Sequence, residues 1–223
     1  AQVVPPHDRA IIERVSLVDS IARIRKIDFQ EGVARGVISI IGPDIRKRYR
    51  EELSKRAFRA KKPSALKIAY TPLHGAGTRM VPEVLAHFGF TGVSIVESQK
   101  KPDGAFPTVK YPNPEEKEAM ELCLALARDN NADIVLATDP DADRMGVGFR
   151  DGGGEYMLIT GNQIGAMLEY YILTRLRENN AIPAGGTVVK TIVTTDLQDE
   201  IARSFGCGVD NVLTGFKWIA MKM

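Results

Sequence analysis

Between residues 64 and 138, three short apolar runs alternate with two stretches of helical periodicity, and that alternation leaves few folds open. LKIAYTPL (66–73) reads as a buried strand. RMVPEVLAHFGF follows, with Met80, Val84, Leu85 and Phe88 on one helical face and Gly89 as a stop. GVSIVE (92–97) is the next strand, and a polar, proline-rich loop covers 98–114. Asn113-Pro114-Glu115-Glu116 then has the form of a helix start: a capping Asn, Pro at the first position, acids in the first turn. Met120, Cys123, Leu124 and Ala127 make the apolar stripe of that helix, and ADIVLAT (132–138) is the third strand. Repeated strand–helix–strand units build a parallel sheet with helices on both faces.

The third strand runs straight into DPDADR. Asp139, Asp141 and Asp143 stand at i, i+2 and i+4 at the carboxyl end of a strand, where open α/β sheets bind ligands. Carboxylates so close repel one another unless something positive sits among them. Oxygen-only ligands at this spacing suit Mg²⁺, Mn²⁺ or Ca²⁺ better than zinc or copper. An EF-hand would need Gly and Glu where Arg144 and Arg150 stand. A D-x-D-x-T phosphatase loop would need Thr at position 143. Arg144 beside a divalent ion makes a clamp for a phosphoryl group, although it also neutralises the acids.

The remaining chain is less regular. MGVGF and YMLIT flank RDGGGE as a hairpin. A helix over 162–179, a strand over 187–195, a helix over 196–205 and a strand near 208–213 form a second α/β unit. Residues 1–43 read as the tail of a preceding domain, with one helix in RAIIERVSLVDSIARI and a short strand in GVISI. The basic stretch 44–62 reads as an amphipathic linker helix with the stripe Ile45, Tyr49, Leu53. Its charge has no aromatic platform or zinc spacing beside it, and the net charge is only +2, so no nucleic-acid partner is expected. Two separated cysteines fit a reducing cytoplasm, and no run approaches the ~18 apolar residues of a membrane span. The expected location is cytoplasmic. Ala1 at the start and a stop in mid-pattern suggest a piece of a longer protein.

Two further motifs carry less. Gly75 and Gly77 in TPLHGAGTRM are similar to a phosphate-cradling turn, but Met80 stands where a third Gly belongs. His74 beside them reads as structural. Loop 101–116 is long enough to be functional, yet its residue chemistry assigns it no role.

Together YTPLHGAGTRMVPEVL, PDGAFPTVKYPNPEE, LATDPDADRMGV, ITGNQIGAMLEYY, KTIVTTDL and LTGFKWIA resemble the alpha-D-phosphohexomutases, the family of phosphoglucomutase and phosphomannomutase. The pieces occur in the family's order over most of 64–220. The resemblance implies three-layer α/β/α domains with mixed, mainly parallel sheets. Residues 44–155 would be the second, metal-binding domain, 156–223 part of the third, sugar-binding domain, and 1–43 the tail of the first. It implies one Mg²⁺ per chain on Asp139, Asp141 and Asp143, with Arg144 at the phosphoryl site and a sugar bisphosphate as activator. Lys190 looks like a basic residue facing the cleft; a solvent lysine at a strand edge is the alternative. Gly215, Phe216 and Lys217 look like part of the sugar-reading region.

The family's phosphoserine lies in a Ser-His loop, and none of the eight serines here precedes a His. The third-domain Gly-Glu-x-Ser-Gly loop and the fourth-domain phosphate loop are also missing. The implied function is part of a mutase that interconverts sugar 1- and 6-phosphates, most simply of glucose, with phosphomannomutase and phosphopentomutase as alternatives. This stretch alone is expected to be inactive and to partner the sugar phosphate and the first and fourth domains of its own chain. A metal-dependent phosphatase and a non-catalytic sugar-phosphate-binding module are the readings from other classes.

Overall fold

The computed structural model describes residues 3–58 and 64–222. Its first elements are α1 (His7–Ser16), α2 (Phe29–Ala34), α3 (Pro43–Arg56), β1 (Ser64–Thr71), α4 (Gly77–His87), β2 (Phe90–Ile95) and α5 (Glu97–Lys100). Then come α6 (Lys117–Asn130), β3 (Ile134–Thr138), β4 (Met145–Arg150), β5 (Tyr156–Ile159), α7 (Gly161–Glu178), β6 (Thr187–Thr191), α8 (Leu197–Ser204), β7 (Gly208–Val212) and α9 (Phe216–Ala220). The chain divides into two units: residues 46–175, and the residues up to Ile45 together with Leu176 onward.

In the first unit the strands run β2-β1-β3-β4-β5. The three apolar runs pair in parallel, with Tyr70 opposite both Ile95 and Leu136. The RDGGGE hairpin then adds β4 and β5 antiparallel, giving a mixed sheet. Strand alternation sends Ala69, Val135 and Ala137 to one face. There they meet the α6 stripe Met120, Cys123, Leu124 and Ala127 in a single buried cluster. α6 begins at Lys117, later than the Asn113 signal implies, because the Asn113 side chain accepts from Glu115 N–H in a local turn of its own. Its other end closes on Asn131 in the left-handed region, and the Tyr156 hydroxyl reaches the carbonyls of Ala127 and Ala132.

The other face carries Tyr70 and Thr138, whose hydroxyls lie 2.8 Å apart. Met80, Val81, Val84 and Leu85 of α4 border an apolar groove of about 540 Å³ over this face. α3 joins α4 through polar pairs, Arg50 to Glu83 and Ser54 to His87. Its expected apolar stripe is only partly used: Ile45 is 50% and Tyr49 54% exposed.

In the second unit α1 buries no residue and ends at Ser16, so the single helix expected over 9–24 is broken. Ser20 caps a separate 3-10 turn, its hydroxyl accepting from Ala22 N–H. Asp28 likewise caps α2 on Gln30 and Glu31. GVISI forms no strand. Val37 and Ile38 both donate to the Gly32 carbonyl, which closes α2 and leaves those amides unavailable to a sheet. β6 and β7 pair in parallel with Lys190 opposite Asn211. β6 stops at Thr191, short of the expected 195, because Thr191 to Thr194 fold into a turn closed on the Thr191 carbonyl. Among the described residues no helix is long and apolar enough to cross a membrane.

Candidate functional site

β3 delivers Asp139 to its carboxyl end, and a turn carries the chain back into β4. Ala142 N–H donates to the Asp139 carbonyl at 3.0 Å. Ala142 itself sits at φ +60°, a left-handed position where a small side chain limits the strain. One carboxylate oxygen from each of Asp139, Asp141 and Asp143 lies within 4.8 Å of the others. Asp139 is buried while Asp141 and Asp143 are exposed, so the trio opens to solvent on one side.

Arg144 organises the buried member. Its backbone N–H donates to Asp139 Oδ1 at 2.9 Å and its Nε to Oδ2 at 2.9 Å. Burial works to raise the Asp139 carboxyl, but these bonds and the guanidinium charge hold it below the usual carboxylate value. Asp143 moves the other way: desolvation raises it, and repulsion from Asp139 and Asp141 adds to the rise. Three carboxylates against one guanidinium leave surplus negative charge in a loop fixed by its own backbone bonds. A cation answers that surplus. Oxygens around a hexacoordinate Mg²⁺ at about 2.1 Å lie about 3.0–4.2 Å apart, and at Ca²⁺ distances about 3.4–4.8 Å apart. With every pair of oxygens within 4.8 Å, the three carboxylates stand close enough to converge on one hard cation of either kind. Arg144 takes one direction on each Asp139 oxygen, and each oxygen keeps another lone pair for a metal.

The loop is held from behind by Pro72–Gly77. Ala76 N–H donates to the Pro140 carbonyl at 2.8 Å. A Cβ on Gly75 would stand 2.4 Å from Pro140 Cα, and one on Gly77 would stand 2.5 Å from both Thr138 Oγ1 and the Tyr70 hydroxyl. Gly75 is thus required by close approach to the Asp loop and Gly77 by close approach to the Tyr70–Thr138 hydroxyl pair, reasons the incomplete glycine motif does not carry. His74 is structural: it is buried, with Nε2 2.8 Å from Thr108 Oγ1 and Nδ1 3.2 Å from the Lys101 carbonyl. Gln99, also buried, accepts from Thr71 Oγ1 at 2.5 Å and donates to Thr108 at 3.0 Å. This trio pins the long loop that residue chemistry left without a role. Loops of that length need an internal tether, and Gln99 and Thr108, the only visible signal, are too common to stand out.

The other candidates lie in the second unit. Lys190 is 5% exposed, which removes the solvent reading. Its Nζ stands 2.8 Å from Asp199 Oδ1 and 3.2 Å from Asp196 Oδ1, and it donates to the carbonyls of Thr194 and Thr195. The bond to Asp199, against a smaller effect of burial, raises its pKa above the ordinary value. Gly215, at φ +126°, opens α9, Phe216 is exposed, and the Lys217 ammonium lies 5.1 Å from the centre of the Trp218 ring.

Residues 47–153 match the phosphoglucomutase/phosphomannomutase alpha/beta/alpha domain II, and residues 160–223 match domain III. A phosphoglucomutase of Staphylococcus haemolyticus is 43% identical over 157 residues, which is 70% of this chain and 28% of that protein. A phosphopentomutase of Mus musculus is 34% identical over 238 aligned positions, 98% of this chain and 36% of that protein. The fold is similar to that of a phosphoglucomutase/phosphomannomutase family protein from Burkholderia thailandensis. Its TM-score is 0.61 at 22% identity, covering 80% of this chain and 35% of that one. The chain spans about a third of the length of such curated relatives, from 28% to 39%. With two consecutive domains of one family matched in order over most of its length, this chain belongs to the phosphoglucomutase/phosphomannomutase family, the alpha-D-phosphohexomutases.

Proposed function

We propose that this chain is the metal-binding part, and some of the sugar-binding part, of a Mg²⁺-dependent mutase. That mutase interconverts sugar 1-phosphate and sugar 6-phosphate through a phosphoserine and a bisphosphate. The observation that carries the reading is the Asp139–Asp141–Asp143 trio: three convergent carboxylates, one buried and braced by Arg144, open on one side. Bound there, Mg²⁺ supplies Lewis-acid stabilisation of charge on a transferring phosphoryl group. Asp139 keeps its proton off through the Arg144 bonds, ready to ligate. Arg144, 57% exposed in its side chain, holds Asp139 through Nε while its outer edge faces an incoming phosphoryl oxygen. Residues 44–155 form the metal domain in this reading and 156–223 part of the sugar domain, with Gly215, Phe216 and Lys217 at the sugar. Lys190 acts through the turn it grips.

Glucose is the first candidate sugar, supported by the 43% identity to a phosphoglucomutase. A pentose phosphate is the second, because the mouse phosphopentomutase aligns over nearly the whole chain. No serine here precedes a histidine, so the phosphoserine belongs to another domain and this stretch by itself does not turn over. The cytoplasm is the proposed location.

The test is made on a protein of the relatives' full length that contains this chain. With Mg²⁺ and a trace of sugar bisphosphate, it is offered glucose 1-phosphate, mannose 1-phosphate and ribose 1-phosphate in turn. Conversion of one to its isomer, abolished by chelator and by Asp141→Asn, is expected. Release of inorganic phosphate instead, or activity indifferent to chelator, would overturn the reading.

A further inference from the structure

α3 and α4 meet through a charge imbalance that helix packing does not need. Glu83 of α4 accepts from Arg50 Nη1 at 2.8 Å on Oε2. Arg46, one turn earlier on α3, has its Nε 3.6 Å from the same oxygen. Arg79, one turn earlier on α4, has its Nε 3.4 Å from Oε1. Three guanidiniums therefore share one carboxylate. The side chains of Arg46, Arg50 and Glu83 are 28%, 25% and 33% exposed, so solvent screens them incompletely. Arg46 Nε is fully covered and has no hydrogen-bond acceptor among the described residues, and 3.6 Å to Glu83 is too long to be one. A covered donor without an acceptor is costly, and a small anion drawn in among the three guanidiniums would satisfy it once the Arg46 side chain turns toward it. The acids nearby do not serve: Glu52 is taken by Lys55 at 2.5 Å, and Glu51 points to solvent.

We infer that Arg46, Arg50 and Arg79, gathered about Glu83, bind a small phosphate-bearing molecule on the α3–α4 face. Planar guanidinium forks match the oxygens of a phosphate dianion two at a time, and a lone carboxylate leaves most of those forks unused. A dianion would bring the cluster of three arginines and Glu83 to neutrality. The ligand chemistry is a terminal phosphate, either free phosphate or the phosphoryl group of a sugar phosphate. None of these residues belongs to the Asp loop, so the inference stands apart from the proposed metal chemistry.

The test is calorimetric titration of this chain with inorganic phosphate, glucose 6-phosphate and glucose, in metal-stripped, low-chloride buffer. Saturable binding of the two phosphate compounds, with none of glucose, is expected. Arg50→Gln should weaken it by about tenfold, the worth of one charge-assisted contact. Arg79→Gln, a change at a 66% exposed side chain that should spare the fold, should weaken it less. Glu83→Gln should tighten it, because the competing carboxylate is gone. If glucose 6-phosphate binds more tightly than phosphate, the sugar phosphate is the ligand; equal affinities name free phosphate. Absence of saturable binding, or binding that Arg50→Gln, Arg79→Gln and Glu83→Gln all leave unchanged, overturns the inference. Either result is independent of whether the full-length protein is a mutase.

Discussion

Two charge clusters follow strands in this chain, and they are built on opposite logic. After β3, three carboxylates face one arginine, two of the acids lie open to solvent, and the pKa of Asp143 is driven up. Near the end of β6, one buried lysine faces two carboxylates and two backbone carbonyls from the residues that follow, with its pKa raised by the contact to Asp199. The first cluster is unbalanced, and in the proposed function a cation makes up the difference. The second is closed around its ammonium, and Arg203, 3.6 Å from Asp199, supplies the positive charge that balances the second carboxylate. Surplus charge in a rigid, half-open loop is a ligand's signature, whereas a saturated ammonium is a clasp. Sequence shows both only as a charged residue near a strand end; what separates them is the count of partners.

Removing the clasp should have the largest effect. Lys190→Met leaves Asp199, in a 13% exposed position, with only the longer 3.6 Å contact to Arg203, and frees the Thr191–Thr194 turn. A loss of about 3 kcal/mol in urea unfolding is expected. A loss under about 0.5 kcal/mol, the level of an exposed ion pair, would break the distinction between the clusters. Lys190→Arg should recover part of the loss, since the charge returns in a different shape.

Gly75→Ala comes next. Its Cβ meets backbone atoms of Pro140, which cannot rotate away. The expected cost is about 2 kcal/mol, with Mn²⁺ or Mg²⁺ affinity falling as the Asp loop is displaced. Unchanged affinity in a folded Gly75→Ala would mean that the Pro72–Gly77 segment does not set the geometry of the carboxylates. The aspartates themselves should divide. Asp139→Asn loses the charge-assisted bonds from Arg144, so it should cost about 1.5 kcal/mol of stability as well as metal. Asp141→Asn should weaken metal binding at least tenfold, about 1.4 kcal/mol, with no loss of metal-free stability. Equal stability costs for the two would contradict the assignment of Asp139 as the buried, braced member.

The sheet was legible because its strands are continuous apolar runs and its helices carry clean stripes; Met120, Cys123, Leu124 and Ala127 bury as their spacing demands. The Asp trio was legible because three like charges at alternate positions have few harmless explanations. What stayed hidden depends on partners distant in sequence. The need for glycine at 75 is a contact with residue 140, and the partners of Gln99 lie at 71 and 108. GVISI has the β-branched composition of a strand, but Gly32 takes its amides first, and local hydrogen bonds of that kind leave no periodic trace. The stripe on α3 misled for a related reason: that helix docks by Arg46, Arg50 and Ser54, so its polar face turns inward.

The smallest expected effect is the most diagnostic, because its sign changes. Asp139, with its pKa held down, contributes stability that is present above the ordinary carboxylate value of 3.8 and is lost as pH falls through its lower folded value. Asp143, with its pKa driven up, does the reverse. Its ionised form costs the folded state stability above its folded value, and acid relieves that cost as pH drops toward 3.8. Asp143→Asn should therefore be slightly more stable than the natural chain at pH 7 without metal, and the advantage should vanish on acidification below pH 4. Saturating Mg²⁺ should invert the order, because the natural chain gains binding free energy that the variant, short of a ligand, cannot match. Thermal unfolding at pH 7 and pH 3.5, with chelator or Mg²⁺, reads all four cases. An Asp143→Asn chain that is less stable than the natural one in chelator at pH 7 would mean that the loop is already balanced, and the contrast with Lys190 would fail at its root.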